Sequence, residues 1–349
     1  MRSEMTGGVE TWRPPYPMSW VDHLVRWVRR MPLPSWLYYA ALFAVGHVLV
    51  AVARVDGGTT LSDALRTPPP VFLIWVVYLL AMTHYLNHMA RERMAQFRPA
   101  LDADDDTFGE LAYRLTTIPA GPTLLSGLVW LVVAAVMVGL SWDTVVALGY
   151  PTWEIVLTVL TYFLGGAIVY HTIHQLREVR RLYARVPRID LYHLAPLNAF
   201  AALTAQTSLG WLLLLYLTAM LIPPEIVASG FGVTVAVAIG VAVAAFVVPL
   251  LGMHRRLEAA KREAIAQTSA RLRRVMDDLH AHIDQGELDK LDPFNKASSA
   301  LHAELEALGR TSTWPWATTT LRGFISALLL PMLLRVAQEV MARVMGPGR

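Results

Sequence analysis

The sequence has 349 residues, 55% of them hydrophobic and 16% charged, with a formal net charge of +3. Soluble chains carry about 25% charged residues, so this one lacks the polar material to cover a water-facing surface and reads as an all-α polytopic membrane protein. The absence of cysteine excludes disulfides, thiolate metal sites and cysteine nucleophiles, and a balance this close to neutral argues against nucleic acid as a partner.

Residues 1–35 hold no apolar run before Trp36 and carry Arg2, Glu4, Glu10 and Arg13, so no cleavable signal peptide is expected. Within them Trp20, Leu24, Trp27, Val28 and Met31 recur at helical spacing with Arg26, Arg29 and Arg30 on the other side, which predicts an amphipathic helix in the membrane interface. Six segments then follow at 36–53, 71–90, 123–142, 155–176, 200–222 and 233–251, none containing Asp, Glu, Lys or Arg. Each is long enough to cross a hydrocarbon core of about 30 Å at about 1.5 Å per residue. They define a six-helix transmembrane domain over 36–253.

Arginine sets the expected orientation. Arg26, Arg29 and Arg30 precede the first span, Arg91, Arg93, Arg98 and Arg114 lie between the second and third, and Arg177, Arg180, Arg181, Arg185 and Arg188 between the fourth and fifth. The opposite connections hold Asp143, Glu154 and Glu225, with Arg54 and Arg66 in the first of them. By the positive-inside bias the N-terminus is expected in the cytoplasm of an integral protein of the plasma (inner) membrane.

The second and fourth spans share a weak pattern, His84 to Arg93 over His171 to Arg180, which suggests three hairpins in the same orientation. Beyond the sixth span, Leu257, Ile265, Leu272, Val275, Leu279 and Ile283 mark one helical face, Gln285-Gly286 breaks it, and Leu301, Leu305 and Leu308 mark another. A cytoplasmic helical hairpin over 254–312 is the reading. The remaining segment, 313–349, has only twelve residues between Arg322 and Arg335, about 18 Å of helix. It either lies at the surface, anchored by Trp314 and Trp316 and kinked at Pro331, or enters the membrane as a seventh helix. In the second case Arg335, Glu339 and Arg343, one face at i, i+4 and i+8, turn toward water or another protomer.

Chemistry is sparse. No phosphate-loop, zinc-peptidase or serine-hydrolase motif occurs, the spans lack the lysine of a retinal Schiff base and the carboxylates of ion-coupled carriers, and no cofactor or enzyme activity is expected. The Gly149-Tyr150 pair is no potassium filter, because 143–154 has no room for a pore helix. The acidic run from Asp102 to Glu110 lacks the glycine and final glutamate of an EF-hand. His84 with His88, and His171 with His174, are spaced to hold metal or haem, against the plainer reading that they bond to headgroups at the span ends. His47, near the middle of the first span, needs a partner, for which Gln206 or Thr207 of the fifth span is the candidate.

This layout resembles channels whose last helix lines a pore at the centre of an oligomer, an analogy of architecture. It implies a homo-oligomeric ion channel or channel-like protein in the lipid bilayer, passing ions and gated through its cytoplasmic helices. Arg335, Glu339, His47 and Gln206 are then the ion-pathway or gating candidates. The competing readings are a non-conducting sensor or scaffold that docks a soluble partner, and a haem or metal protein.

Overall fold

The computed structural model describes residues 14–55, 57–140, 142–147, 151–221, 231–286 and 291–329. In chain order its helices are α1 (Trp20–Arg29), α2 (Ser35–Val55), α3 (Leu61–Arg66), α4 (Val71–Phe97), α5 (Asp105–Thr116), α6 (Ala120–Leu140) and α7 (Trp142–Ala147). There follow α8 (Thr152–Ala184), α9 (Ala199–Leu221), α10 (Phe231–Val247), α11 (Leu251–Asp284), α12 (Leu291–Arg310) and α13 over 318–329. Among the described residues there is no strand, only one isolated antiparallel bridge between Met18 and Pro119. Six helices are long and apolar enough to cross a membrane, and each overlaps one of the apolar segments of the sequence. The sixth runs from α10 into α11 through a single 3-10 turn at Val248–Leu250, where Pro249 occupies a first-turn position that tolerates its missing N–H.

Length alone shows that several helices outrun a bilayer. The 33 residues of α8 reach about 50 Å, some 20 Å beyond a core of about 30 Å. These extensions are glued together by an aromatic core in which the Phe200 ring lies 4.6 Å from Phe97 and 5.7 Å from Tyr183. The Tyr183 hydroxyl donates to the Leu197 carbonyl at 2.7 Å. Arg256 of α11 donates to the carbonyls of Tyr183 and Val186, satisfying the C-terminal end of α8 with a cation where the helix dipole favours one.

The fifth helix keeps its expected place, Ala199–Leu221 against 200–222, and that core covers its first turns. The apolar window began the fifth span at Phe200, but the first turns of α9 pack level with Phe97 and Tyr183, past Arg91 and Arg177 of α4 and α8. Further along, α9 is bonded to the apolar stretches of its neighbours, through Tyr78 Oη donating to the Gly210 carbonyl at 2.6 Å and Trp211 Nε1 to Thr172 Oγ1 at 3.0 Å. The hydroxyls of Thr204, Thr207 and Ser208 bond carbonyls of their own helix, which lets this polar stretch be buried as though apolar.

Elsewhere the packing is close because small residues allow it. A Cβ on Gly166 of α8 falls 2.7 Å from the Ser126 carbonyl oxygen and 2.7 Å from Trp130 of α6, and Ser126 Oγ donates to the Gly166 carbonyl at 2.8 Å. The expected hairpin is present as α11 and α12, with Gly286 at φ 74° ending the first arm. Lys261 of α11 donates to the Gly309 and Thr311 carbonyls at the end of α12, at 2.7 and 2.8 Å.

Candidate functional site

The most concentrated polar chemistry is built around α1, and the sequence signal for it was the local pair Ser19-x-x-Asp22. Ser19 caps α1, accepting from the Asp22 N–H at 3.2 Å while its hydroxyl donates to Asp22 Oδ2 at 2.9 Å. The Ile118 N–H, at the turn from α5 into α6, donates to the same carboxylate oxygen at 2.9 Å, and Asn87 of α4 donates to Oδ1 at 3.4 Å. His171 of α8 then donates through Nε2 to Asn87 Oδ1 at 2.8 Å. Four separate segments are tied through one buried carboxylate.

Asp22 is 6% exposed. Burial pushes its carboxyl above the usual aspartate range, and the bonds from Ile118, Ser19 and Asn87 pull it back only in part. A second set of ties lies beside it. His174 Nε2 donates to the Arg114 carbonyl at 2.9 Å, the Tyr16 hydroxyl donates to the Thr117 carbonyl at 2.8 Å, and Tyr113 returns a bond to the Tyr16 carbonyl at 2.8 Å. Main-chain bonds from Ser19 N–H to Ile118 and from Ala120 N–H to Pro17 close the seam. Over Asp22 opens a cavity of about 130 Å³, where Arg26 and Arg29 of α1 and Arg91 of α4 supply positive charge. The arrangement joins helices and answers a buried negative charge with N–H and O–H donors.

This geometry shows which side of α1 the protein itself covers. The helix is where the spacing placed it; the chain covers Val21, Asp22, Val25 and Val28, while Trp27 is 59% exposed. Trp20 stacks on Phe163 of α8 at 5.5 Å. An amphipathic pattern gives the apolar side of a helix without saying whether lipid or protein covers it.

The histidines separate. His84 Nδ1 is 3.0 Å from the Tyr39 hydroxyl and its Nε2 3.3 Å from Ser35, joining α4 to the start of α2. His88 pairs with Glu92 at 3.3 Å on an exposed surface. With His171 on Asn87 and His174 on the Arg114 carbonyl, neither spaced pair converges on a common point, and among the described residues no three His, Asp or Glu side chains are grouped to hold a metal ion. His47 is not joined to Gln206 or Thr207. Its Nε2 is 3.1 Å from the Leu65 carbonyl of α3, which folds back along α2, whereas Gln206 lies in the first turns of α9 among the extensions. The intervening helix α4 holds α2 and α9 apart.

The last described helix has a clear anchorage. Trp314 stacks on His254 at 3.9 Å and on Trp316 at 4.3 Å, Trp316 on Phe246 at 5.3 Å, and Phe324 of α13 lies 4.5 Å from Phe246. Further along, the Leu328 carbonyl accepts from the Tyr216 hydroxyl of α9 at 3.2 Å. Since Phe246 is near the arginine-bearing end of α10 and Tyr216 is in the distal half of α9, α13 runs parallel to α9 and away from the extensions. Arg335 and Glu339, in 330–349, lie outside the described residues. No family model matches the chain, and neither a curated protein nor a solved structure is detectably similar to it.

Proposed function

We propose that the chain is a homo-oligomeric, channel-like protein of the plasma membrane, with its N-terminus in the cytoplasm and its final helix at the conducting path. The observation that carries this reading is the course of α13. A segment lying flat at the interface would leave α9 and α10 at once, but this one follows α9 from the Phe246 stack to Tyr216. In the sequence Arg335, Glu339 and Arg343 follow at i, i+4 and i+8, charges of a kind that a membrane tolerates only against water or protein. On α13 itself Phe324 is covered by α10 while Ile325 and Leu329 remain exposed, leaving an open side for neighbouring copies around an axis. The continuous α10 to α11 rod, stacked on α13 through Trp314 and Trp316, gives the α11–α12 hairpin a mechanical connection to that path.

The test is ion flux through the purified protein in liposomes. The reading expects flux that changes in rate or selectivity in Arg335→Ala and Glu339→Ala. Absence of flux from folded wild-type protein, with a soluble protein co-purifying on the α11–α12 hairpin, returns the sensor or scaffold reading in its place.

A further inference from the structure

We propose that the cleft between α8 and the α9–α10 hairpin is a binding site for one acyl chain of an anionic glycerophospholipid, with its phosphate held by Arg177 and Arg180. The cleft has a volume of about 500 Å³, within the range of about 300–1,000 Å³ typical of ligand sites. Its walls are apolar. Val169, Ile173 and Leu176 of α8 face Val241 and Ala245 of α10, with Trp211 of α9 at the base. From Val169 to Arg180 the wall follows α8 for eleven residue steps, about 16 Å, so the cleft is long and narrow, suited to a hydrocarbon chain rather than to a compact solute.

Charge fixes the chemistry of the other end. Arg177 and Arg180 stand at i and i+3 on the rim, both exposed, and neither forms a hydrogen bond or ion pair among the described residues. Their neighbours are different: Arg181 is paired with Glu178, and Arg114 with Glu110. Two unpaired guanidinium groups one turn apart, at the end of an apolar cleft that opens sideways where Val241 is 61% exposed, match a headgroup phosphate above a buried tail. Removal of water from the apolar walls drives the chain in, at about 0.8 kcal/mol per buried CH₂. The phosphate selects among lipids. The site stands whether or not the protein conducts.

Trp211 reports on it directly. In vesicles of phosphatidylcholine doped with phosphatidylglycerol carrying brominated acyl chains, the fluorescence quenched in wild type but not in Trp211→Phe isolates this one indole from the other ten. We expect Trp211 to be quenched at a mole fraction of brominated phosphatidylglycerol about tenfold below that required of brominated phosphatidylcholine. The preference should vanish in Arg177→Gln/Arg180→Gln and persist in the charge-retaining Arg177→Lys/Arg180→Lys, which also shows that the site remains folded. Equal quenching by the two lipids in wild type, or an unchanged preference in the glutamine pair, overturns the proposal. So does displacement of the lipid by soluble glycerol phosphate, which would assign the site to the phosphate alone.

Discussion

The arginine-bearing half of the molecule and the half opposite it are held together differently. In the first, Phe97, Tyr183 and Phe200 are fully enclosed, and Asp22, Asn87 and His171 cross between helices. In the second, α2 and α6 present long apolar surfaces, with Val132 60% and Leu140 82% exposed. The contrast teaches that the apolar helices of the second half leave much of their surface uncovered by the rest of the chain. The specificity of the fold is concentrated in the arginine-bearing half, because there enclosed aromatic rings and buried hydrogen bonds operate together.

The sharpest way to break this comparison is to delete one large side chain from each half. Phe200→Ala removes a ring from the enclosed cluster and is expected to cost about 3–5 kcal/mol, whereas Val132→Ala should stay within about 0.5 kcal/mol. Unfolding titrations in mixed micelles read both, and equal losses would abolish the distinction. Next in size is Gly166→Ala, where the new methyl meets the Ser126 carbonyl and Trp130. Separating α6 from α8 there should cost about 1–3 kcal/mol, measured in the same titration. Ser19→Ala removes the cap of α1 and one of the bonds to Asp22, with an expected loss of about 1 kcal/mol.

The smallest effect has a sign that identifies its source. Burial raises the Asp22 pKa in the folded chain above its unfolded value, so the folded state holds the proton more tightly. Stability from this group is therefore present at low pH and declines as pH rises from the ordinary aspartate range through the raised folded value. Arg26, Arg29 and Arg91 face the same cavity, and the Tyr16 phenol, itself pushed up by burial, keeps its proton across this window. Thermal midpoints measured across that window should fall in wild type and lie flat in Asp22→Asn; parallel slopes would remove Asp22 from the account.

The six apolar segments and the α11–α12 hairpin were legible in the sequence because length, charge exclusion and the Gln285-Gly286 break depend on local chemistry. Partnership was not legible. The same valines and leucines serve lipid and protein, so nothing local distinguished the covered side of α1 from the side bearing Trp27. The burial of the first turns of the fifth helix was hidden for a related reason, its threonines and serine being silenced by their own backbone. His47 looked as though it required a distant span, yet the nearest acceptor was the Leu65 carbonyl only 18 positions away. Asn87, between two conspicuous histidines, carried no signal until α1 and α8 were brought to it.

The proposed function depends most on which side of the membrane the arginine-bearing half faces. The chain contains no cysteine, so single cysteines placed at Asp143 and Arg185 can be labelled without background. With a membrane-impermeant maleimide on intact cells, the Asp143→Cys protein should label at once and the Arg185→Cys protein only after permeabilisation. Labelling of both from the same side would contradict the six-span arrangement and the proposed function with it.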